Sequence, residues 1–255
     1  MPEHTTFITY LLSKFPALQE NAQNLGRTVV YGQEPSWRSF EPIVTALLVV
    51  LVILGLALRA RTKLAKVDEA VIPDDKLTLR TFMEAFVGYF YNMTKDVMGP
   101  KRAKRYFPVI GAASLFIFLS NLMGFIPGFA PPTSSLNITL GCALVVFILF
   151  NFYGLQANGL GYIKHLAGPK WYLAPLVFPI ELISTCVRPV TLSVRLMVNM
   201  AVDHLLVGIF VGLVALFVPV PLMFLGMIVV VVQTVVFCLL TAIYIGLATE
   251  HEEQH

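Results

Sequence analysis

Long runs of apolar residues dominate the chain from Pro42 onward, and hydrophobic positions within them follow one another without strict alternation. A transmembrane helix needs about 17 to 25 mostly apolar residues, whereas a membrane strand alternates between its two faces. The runs therefore predict helices that cross a membrane. Five crossings are predicted, at residues 42–58, 107–126, 136–155, 172–218 and 222–248.

Prolines divide these runs. A proline-rich segment at residues 127–135 predicts a turn after the second crossing, and Pro219-Val220-Pro221 predicts a turn after the fourth. The fourth crossing also contains Pro175, Pro179 and Pro189. We expect these prolines to break its helix, because proline lacks the backbone N–H that continues the hydrogen-bond ladder.

Residues 78–98 are amphipathic, with aromatic side chains at helical spacing and Glu84, Lys95 and Asp96 among them. Such a helix lies on a membrane surface rather than crossing it. Basic clusters at residues 59–66 and 101–105 flank the segment, and loops rich in lysine and arginine stay in the cytoplasm. The N-terminus is therefore predicted to lie outside the membrane and the C-terminus in the cytoplasm.

The predicted fold is an all-α membrane protein with five transmembrane crossings, one interfacial helix and a long tilted helical hairpin at its C-terminal end. The hairpin is expected to tilt because its first run far exceeds the about 20 residues that suffice to cross. The predicted parts are an external segment at 1–41, the first crossing at 42–58, a cytoplasmic loop with the interfacial helix at 59–105, and a four-crossing domain at 106–255.

The amino-acid composition agrees with a membrane protein. Hydrophobic residues make up 57% of the chain and charged residues 13%, whereas a soluble domain carries about a quarter charged residues. The net charge of +3 is too small to suggest nucleic-acid binding. The three cysteines all lie in apolar runs and predict neither a disulfide framework nor a metal site. From residue 106 to 249 the charged side chains are Lys164, Lys170, Glu181, Arg188, Arg195 and Asp203.

The polar residues of the fourth crossing share one side of the predicted helix. A helix turns by about 100° per residue, which places most of them within about 40° of Arg195 around the axis. Thr185 and Ser193 fall elsewhere. We call this set the polar stripe; it consists of Glu181, Ser184, Arg188, Thr191, Arg195 and Asn199.

Charged side chains are costly at this depth, since an arginine in the middle of a bilayer costs from about 2.5 to more than 10 kcal/mol. The polar stripe is therefore expected to face protein or water. For Arg195 the alternative is an ion pair within the chain, but no carboxylate of the chain lies at its depth, and one from another subunit fits better. The alternatives for Arg188 are extension to the membrane surface or a local pair with Glu181. Glu181 is either an interfacial carboxylate or a polar group of the cytoplasmic end.

Further polar residues lie toward the outer surface. Asp203 and His204 are about 12 to 13 Å from Arg195 along the helix. His204 falls opposite the polar stripe and is expected to face a neighbouring helix, either as a proton relay or as an ordinary buried histidine. Gln233 and Asn121 are lone amides in their crossings, and an interhelical hydrogen bond is the alternative to a role beside Arg195.

Three short motifs in the apolar part of the chain are distinctive. They are residues 188–196 (RPVTLSVRL) followed by Asn199-Met200, residues 120–124 (SNLMG) followed by Pro127, and Pro131-Pro132-Thr133 followed by Leu136-Asn137. Together these motifs resemble the subunit a family of F-type ATP synthases. Glu181, Gln233 and residues 241–244 (TAIY) also fit the family's spacing, and the resemblance covers about residues 75–250.

The resemblance implies a proton-conducting stator subunit in a bacterial inner membrane. Such a subunit offers two half-channels to the mid-membrane carboxylates of a ring of c subunits, and it assembles with the b-subunit peripheral stalk and the remaining subunits. The family implies that Arg195 separates the half-channels and that the 106–255 domain forms them. Asn199, Asp203, His204 and Gln233 would line the outer half-channel and Glu181 the inner one. Arg188, Asn121 and Gly226 are assigned structural or secondary parts.

The resemblance implies no cofactor, no metal and no catalytic site, because ATP forms on other subunits and this chain has no phosphate-binding loop. It also reveals a departure. Family members often hold an acid and a histidine at the positions aligned with His204 and Gly226, whereas here an acid stands next door as Asp203. Gly124 replaces the aspartate of some members.

Two other functions are compatible with the residues alone. A stand-alone proton-coupled secondary transporter would need its own mid-membrane carboxylate near Arg195. A structural assembly protein would use the polar stripe only for packing. The neighbouring chain at Arg195 distinguishes among these three functions.

Overall fold

The computed structural model describes Lys14 and residues 41–64, 78–126, 129–159, 174–213 and 219–249. The predictions that fall on residues 1–13, 15–40, 65–77, 127–128, 160–173, 214–218 and 250–255 lie outside these residues. The described part is helical throughout and contains no strand. Its elements are α1 (Glu41–Leu64), α2 (Leu79–Met98), α3 (Pro100–Met123), a short 3₁₀ helix (Pro132–Ser134), α4 (Leu136–Asn158), α5 (Ala174–Leu213) and α6 (Pro219–Ala248).

Five of these helices are long and apolar enough to cross a membrane, namely α1, α3, α4, α5 and α6. Helix α2 is not among them. It buries Phe90, Thr94 and Met98 while Lys95 and Asp96 stay exposed, as the amphipathic pattern predicted. The predicted all-α membrane fold is confirmed.

Helix α6 is the centre of the packing, since it contacts α2, α3, α4 and α5. One buried cluster joins Cys238 and Ile245 of α6 to Tyr106 of α3 and Phe150 of α4. A second joins Phe237 to Leu196 of α5 and to residues of α3 and α4. By contrast, α1 lies at the edge and keeps a row of large apolar side chains exposed, among them Leu47, Leu51, Leu54 and Leu58.

The prediction that prolines break the fourth crossing is wrong. Helix α5 runs for 40 residues with Pro179 and Pro189 inside it. Hydroxyl side chains donate to backbone carbonyls on both sides of Pro189: Thr185 to Glu181, Thr191 to Arg188 and Ser193 to Val190. The carbonyls that Pro179 and Pro189 leave without an N–H partner are those of Pro175 and Thr185, and none of these three hydroxyl groups donates to them. Membrane helices tolerate internal prolines because local adjustments of the backbone and neighbouring groups can satisfy such carbonyls. A helix of this length measures about 60 Å, twice the hydrocarbon thickness of about 30 Å, so it must tilt strongly.

The predicted turn at Pro219-Val220-Pro221 is also wrong, because these residues form the first turn of α6. Proline suits the first position of a helix, where its missing N–H costs nothing. The connection therefore precedes Pro219. Three associations between α5 and α6 give the register: Arg188 lies over Tyr244, Leu196 shares a cluster with Phe237, and Asp203 shares a cavity with Gly226.

In each of these three pairs the mean of the two residue numbers is close to 215, as expected for two antiparallel helices paired without a shift. The two helices thus form an antiparallel hairpin whose regular register brings Asp203 level with Gly226. A turn centred at Val220 would not bring these two residues level, since Asp203 lies 17 positions before Val220 and Gly226 only six after it.

Gly99 joins α2 to α3 at φ 80° and ψ 162°, a backbone conformation that only glycine adopts readily. A β-carbon at Gly99 would meet no atom within 4 Å, so a substitution there tests backbone strain alone. We expect Gly99→Ala to destabilise the protein by about 1 to 3 kcal/mol. Thermal unfolding of the purified protein in detergent measures this.

Gly88 is the matched control. It lies inside α2 and has equally open space around its β-carbon position. Gly88→Ala should stabilise the helix by up to about 1 kcal/mol, since alanine has the higher helix propensity. Equal behaviour of the two variants would contradict the assignment of strain to Gly99.

Candidate functional site: the polar stripe and the α5–α6 hairpin

The polar stripe lies on a face of α5 that the other described helices cover only in part. Ser184, Thr191 and Arg195 are exposed. Glu181, Arg188 and Asn199 are half-buried. The opposite face is buried against α4 and α6, and it carries Thr185, Leu192, Ser193, Leu196 and Met200.

Arg195 is exposed among exposed valines, and among the described residues it forms no ion pair. Val187, Val194 and Val198 lie beside the polar stripe on the same uncovered side of α5. The alternative of an ion pair within the chain therefore finds no support in the described part. A permanent positive charge stands in the middle of an apolar helix surface that the described residues leave uncovered.

Arg188 has a different environment. Its guanidinium carbon lies 5.2 Å from the centroid of the Tyr244 ring on α6. A cation over an aromatic face is attracted by the ring's electron density. The local pair with Glu181, one of the alternatives drawn from the sequence, does not occur among the ion pairs of the described residues. Sequence reasoning missed Tyr244 as the partner, because the contact joins residues 56 positions apart.

At the other end of the hairpin, Asp203 and His204 line a cavity of about 70 Å³ together with Gly124, Phe125 and Gly226. One carboxylate oxygen of Asp203, Oδ2, is buried and has no hydrogen-bond partner among the described residues. Such an oxygen needs a water or a proton donor in the working protein. The cavity is therefore an open space lined by both a carboxyl group and an imidazole.

Two glycines shape this cavity. A β-carbon at Gly124 would lie 2.5 Å from Nε2 of His204, so the histidine uses the space that the absent side chain leaves. A β-carbon at Gly226 would lie 3.1 Å from Cζ of Phe125. The ring of Phe125 therefore already occupies part of the space that the absent side chain of Gly226 leaves. His204 faces a neighbouring helix end, in agreement with its predicted position opposite the polar stripe.

The two lone amides differ in environment. Asn121 is fully buried, and its Oδ1 accepts a 2.6 Å hydrogen bond from the Thr133 hydroxyl of the 3₁₀ helix. This bond ties the turn after α3 to α3 itself. Gln233 is half-buried, and neither it nor Asn199 forms a hydrogen bond within the described part of the chain.

No group of three or more histidine, cysteine or acidic side chains is placed to hold a metal ion in the described ranges. Cys142, Cys186 and Cys238 are free thiols. The site thus offers charge, hydrogen bonding and a small cavity.

The fold and the site define a class: helical membrane proteins that present charged side chains on an uncovered helix face inside the membrane. Comparison with known proteins narrows this class. The sequence profile of the ATP synthase A chain family matches residues 43–246. The chain belongs to the ATP synthase subunit a family, a membrane subunit of the F0 sector.

Individual relatives match the sequence of this chain over most or all of its length. An ATP synthase subunit a of Sorangium cellulosum is 64% identical over 255 residues, which is the full length of both chains. A protein of Syntrophotalea carbinolica named ATP synthase subunit a 2 is 41% identical over 211 residues, 83% of this chain and 86% of the relative. One from Geobacter sulfurreducens is 45% identical over 167 residues, 66% of this chain and 72% of the relative.

Proposed function

We propose that the chain is the proton-conducting stator subunit of a bacterial F-type ATP synthase, with Arg195 as the group that separates two half-channels. The observation that carries the proposal is the exposure of Arg195 on an apolar helix face without an anionic partner among the described residues. A charge in such a position is stable only beside protein or water. The partner that fits is a ring of c subunits, each with a carboxylate in the middle of the membrane.

In this proposal the polar residues of the site have separate roles. The guanidinium of Arg195 is permanently charged, so it favours the ionised form of each ring carboxylate that passes and repels a proton that would cross directly. Asn199, Asp203, His204 and Gln233 serve the outer half-channel, and Glu181 serves the inner one. Each proton that crosses a potential of 100 mV delivers about 2.3 kcal/mol, which the ring converts into rotation. The subunit itself is not catalytic; ATP forms on other subunits.

Topology belongs to the same proposal. We place the chain in the bacterial inner membrane, with the N-terminus outside and the C-terminus in the cytoplasm. The b-subunit peripheral stalk holds it against rotation. The division into an external segment, first crossing, cytoplasmic loop and four-crossing channel domain remains a prediction.

Replacement of Arg195 tests the central role. Arg195→Ala should abolish ATP-driven proton pumping to the background level while the complex still assembles, because no other charge of α5 lies at that position. Arg195→Lys should also pump poorly, since lysine is a compact charge that loses its proton when desolvated. Fluorescence quenching in inverted vesicles measures pumping, and immunoblots measure assembly.

Arg61→Ala is a suitable control, because Arg61 is an exposed arginine on α1, away from the polar stripe. It should pump like the wild type. Intact coupled pumping by assembled Arg195→Ala complexes would contradict the proposed role of Arg195.

Topology is tested with cysteines at exposed positions on the two ends of α3 and at the end of α4. Lys104, Ile126 and Gln156 are exposed, whereas Thr133 is fully buried and would label poorly. In a background without native cysteines, Lys104→Cys and Gln156→Cys should react with an impermeant maleimide from the cytoplasmic side. Ile126→Cys should react from outside. Reaction of all three from one side would refute the arrangement.

The small cavity at Asp203 predicts a coupled effect of two substitutions. Asp203→Ala should slow proton entry several-fold by removing the relay. Gly226→Leu should slow it similarly, because the new side chain must displace Phe125 into the cavity. The two effects should not add, since they act on one path. Passive proton conductance of vesicles stripped of the soluble head measures them, and wild-type conductance in both single variants would place proton entry elsewhere.

A further inference from the structure

The C-terminal end of α6 is held in place by side chains from two other helices. Asn158 of α4 donates a 3.0 Å hydrogen bond from Nδ2 to the carbonyl of Ala248. Arg102 of α3 donates from Nη1 to the carbonyl of Gly246 at 3.4 Å. Carbonyls in the last turn of a helix have no partner within the helix, so these bonds both satisfy and fix this end. The helix end that carries Tyr244 is therefore anchored to α3 and α4.

Tyr244 is packed on one side and binds a cation on the other. Its ring centroid lies 6.1 Å from that of Phe150 on α4. The guanidinium of Arg188 lies over the ring at 5.2 Å. Both Arg188 and Tyr244 are half-buried, which strengthens such an attraction because little water competes. The ring thus holds the Arg188 side chain toward α6.

Without this ring, the nearest opposite charge on the same helix face belongs to Glu181. The two residues are seven positions apart, about 10.5 Å along α5 and only about 20° apart around its axis. Both side chains are long and flexible enough to meet. An arginine and a carboxylate attract strongly in surroundings of low dielectric constant, so a released Arg188 would be drawn to Glu181.

We propose that Tyr244 is a positioning residue: it holds the guanidinium of Arg188 away from Glu181, so that the Glu181 carboxylate stays free to accept and release protons. This inference rests on the proposed function, which places Glu181 in the inner half-channel. It adds a reason for the aromatic residue at the end of α6. It also explains how a stationary arginine and a working carboxylate share one helix face.

The test uses a double-mutant cycle in the assembled complex, with passive proton conductance of head-stripped vesicles as the readout. Tyr244→Leu should lower the conductance several-fold, whereas Tyr244→Phe, which retains an aromatic face, should keep most of it. In an Arg188→Leu background, Tyr244→Leu should have no further effect, because no guanidinium remains to capture Glu181. Tyr244→Met fills the same space flexibly and replaces Tyr244→Leu if that variant does not assemble.

A role of Tyr244 in packing alone would lower conductance equally in both backgrounds, and that result would overturn the proposal. Wild-type conductance in Tyr244→Leu would overturn it as well. Glu181→Gln distinguishes a failure of the proposed function from a failure of the positioning role of Tyr244. If Glu181→Gln conducts like the wild type, the proposed function itself fails at its inner end. If Glu181→Gln is impaired while Tyr244→Leu conducts normally, only the positioning role fails.

Discussion

A permanent positive charge on an apolar helix face is the constraint on which the rest of the structure depends. Arg195 is exposed on α5 among exposed valines. Lipid cannot solvate a guanidinium at low cost, and the described part of the chain supplies no anion. The polar stripe is therefore an incomplete surface. It is stable when a second protein provides a carboxylate or when water reaches it.

The packing of the hairpin keeps this surface in a fixed orientation. Helix α5 buries Leu192, Leu196 and Met200 on one side, which turns Arg195 to the opposite side. Arg188 is drawn toward Tyr244, whose helix is tied to α3 and α4 at its end. The same antiparallel register brings Asp203 level with Gly226 at the far end. One regular pairing of two helices thus sets the positions of Arg188 and Asp203 relative to α6.

Much of this arrangement follows from the sequence, because it depends on local periodicity. The apolar runs predicted the five membrane helices, and the spacing of aromatic and charged residues predicted that α2 would not cross. Helical geometry at about 100° per residue placed the polar stripe on one face and left Thr185 and Ser193 off it. Those two residues are indeed buried.

The remainder depends on contacts that no local pattern contains. Pro179 and Pro189 predicted a broken helix, but α5 is continuous through both of them. Residues 219–221 predicted a turn, whereas they form the first turn of α6. The Tyr244 ring over Arg188, the His204 ring beside Gly124 and the Phe125 ring over Gly226 each join separate helices or their ends.

The central claim, that another chain covers the polar stripe, is tested most directly by crosslinking in the assembled complex. A cysteine with a short photoreactive group at exposed Thr191 should join this chain to a small subunit with a carboxylate in its apolar helix, while the same group at buried Ser193 should not. Crosslinks from Thr191 to lipid alone would contradict the account.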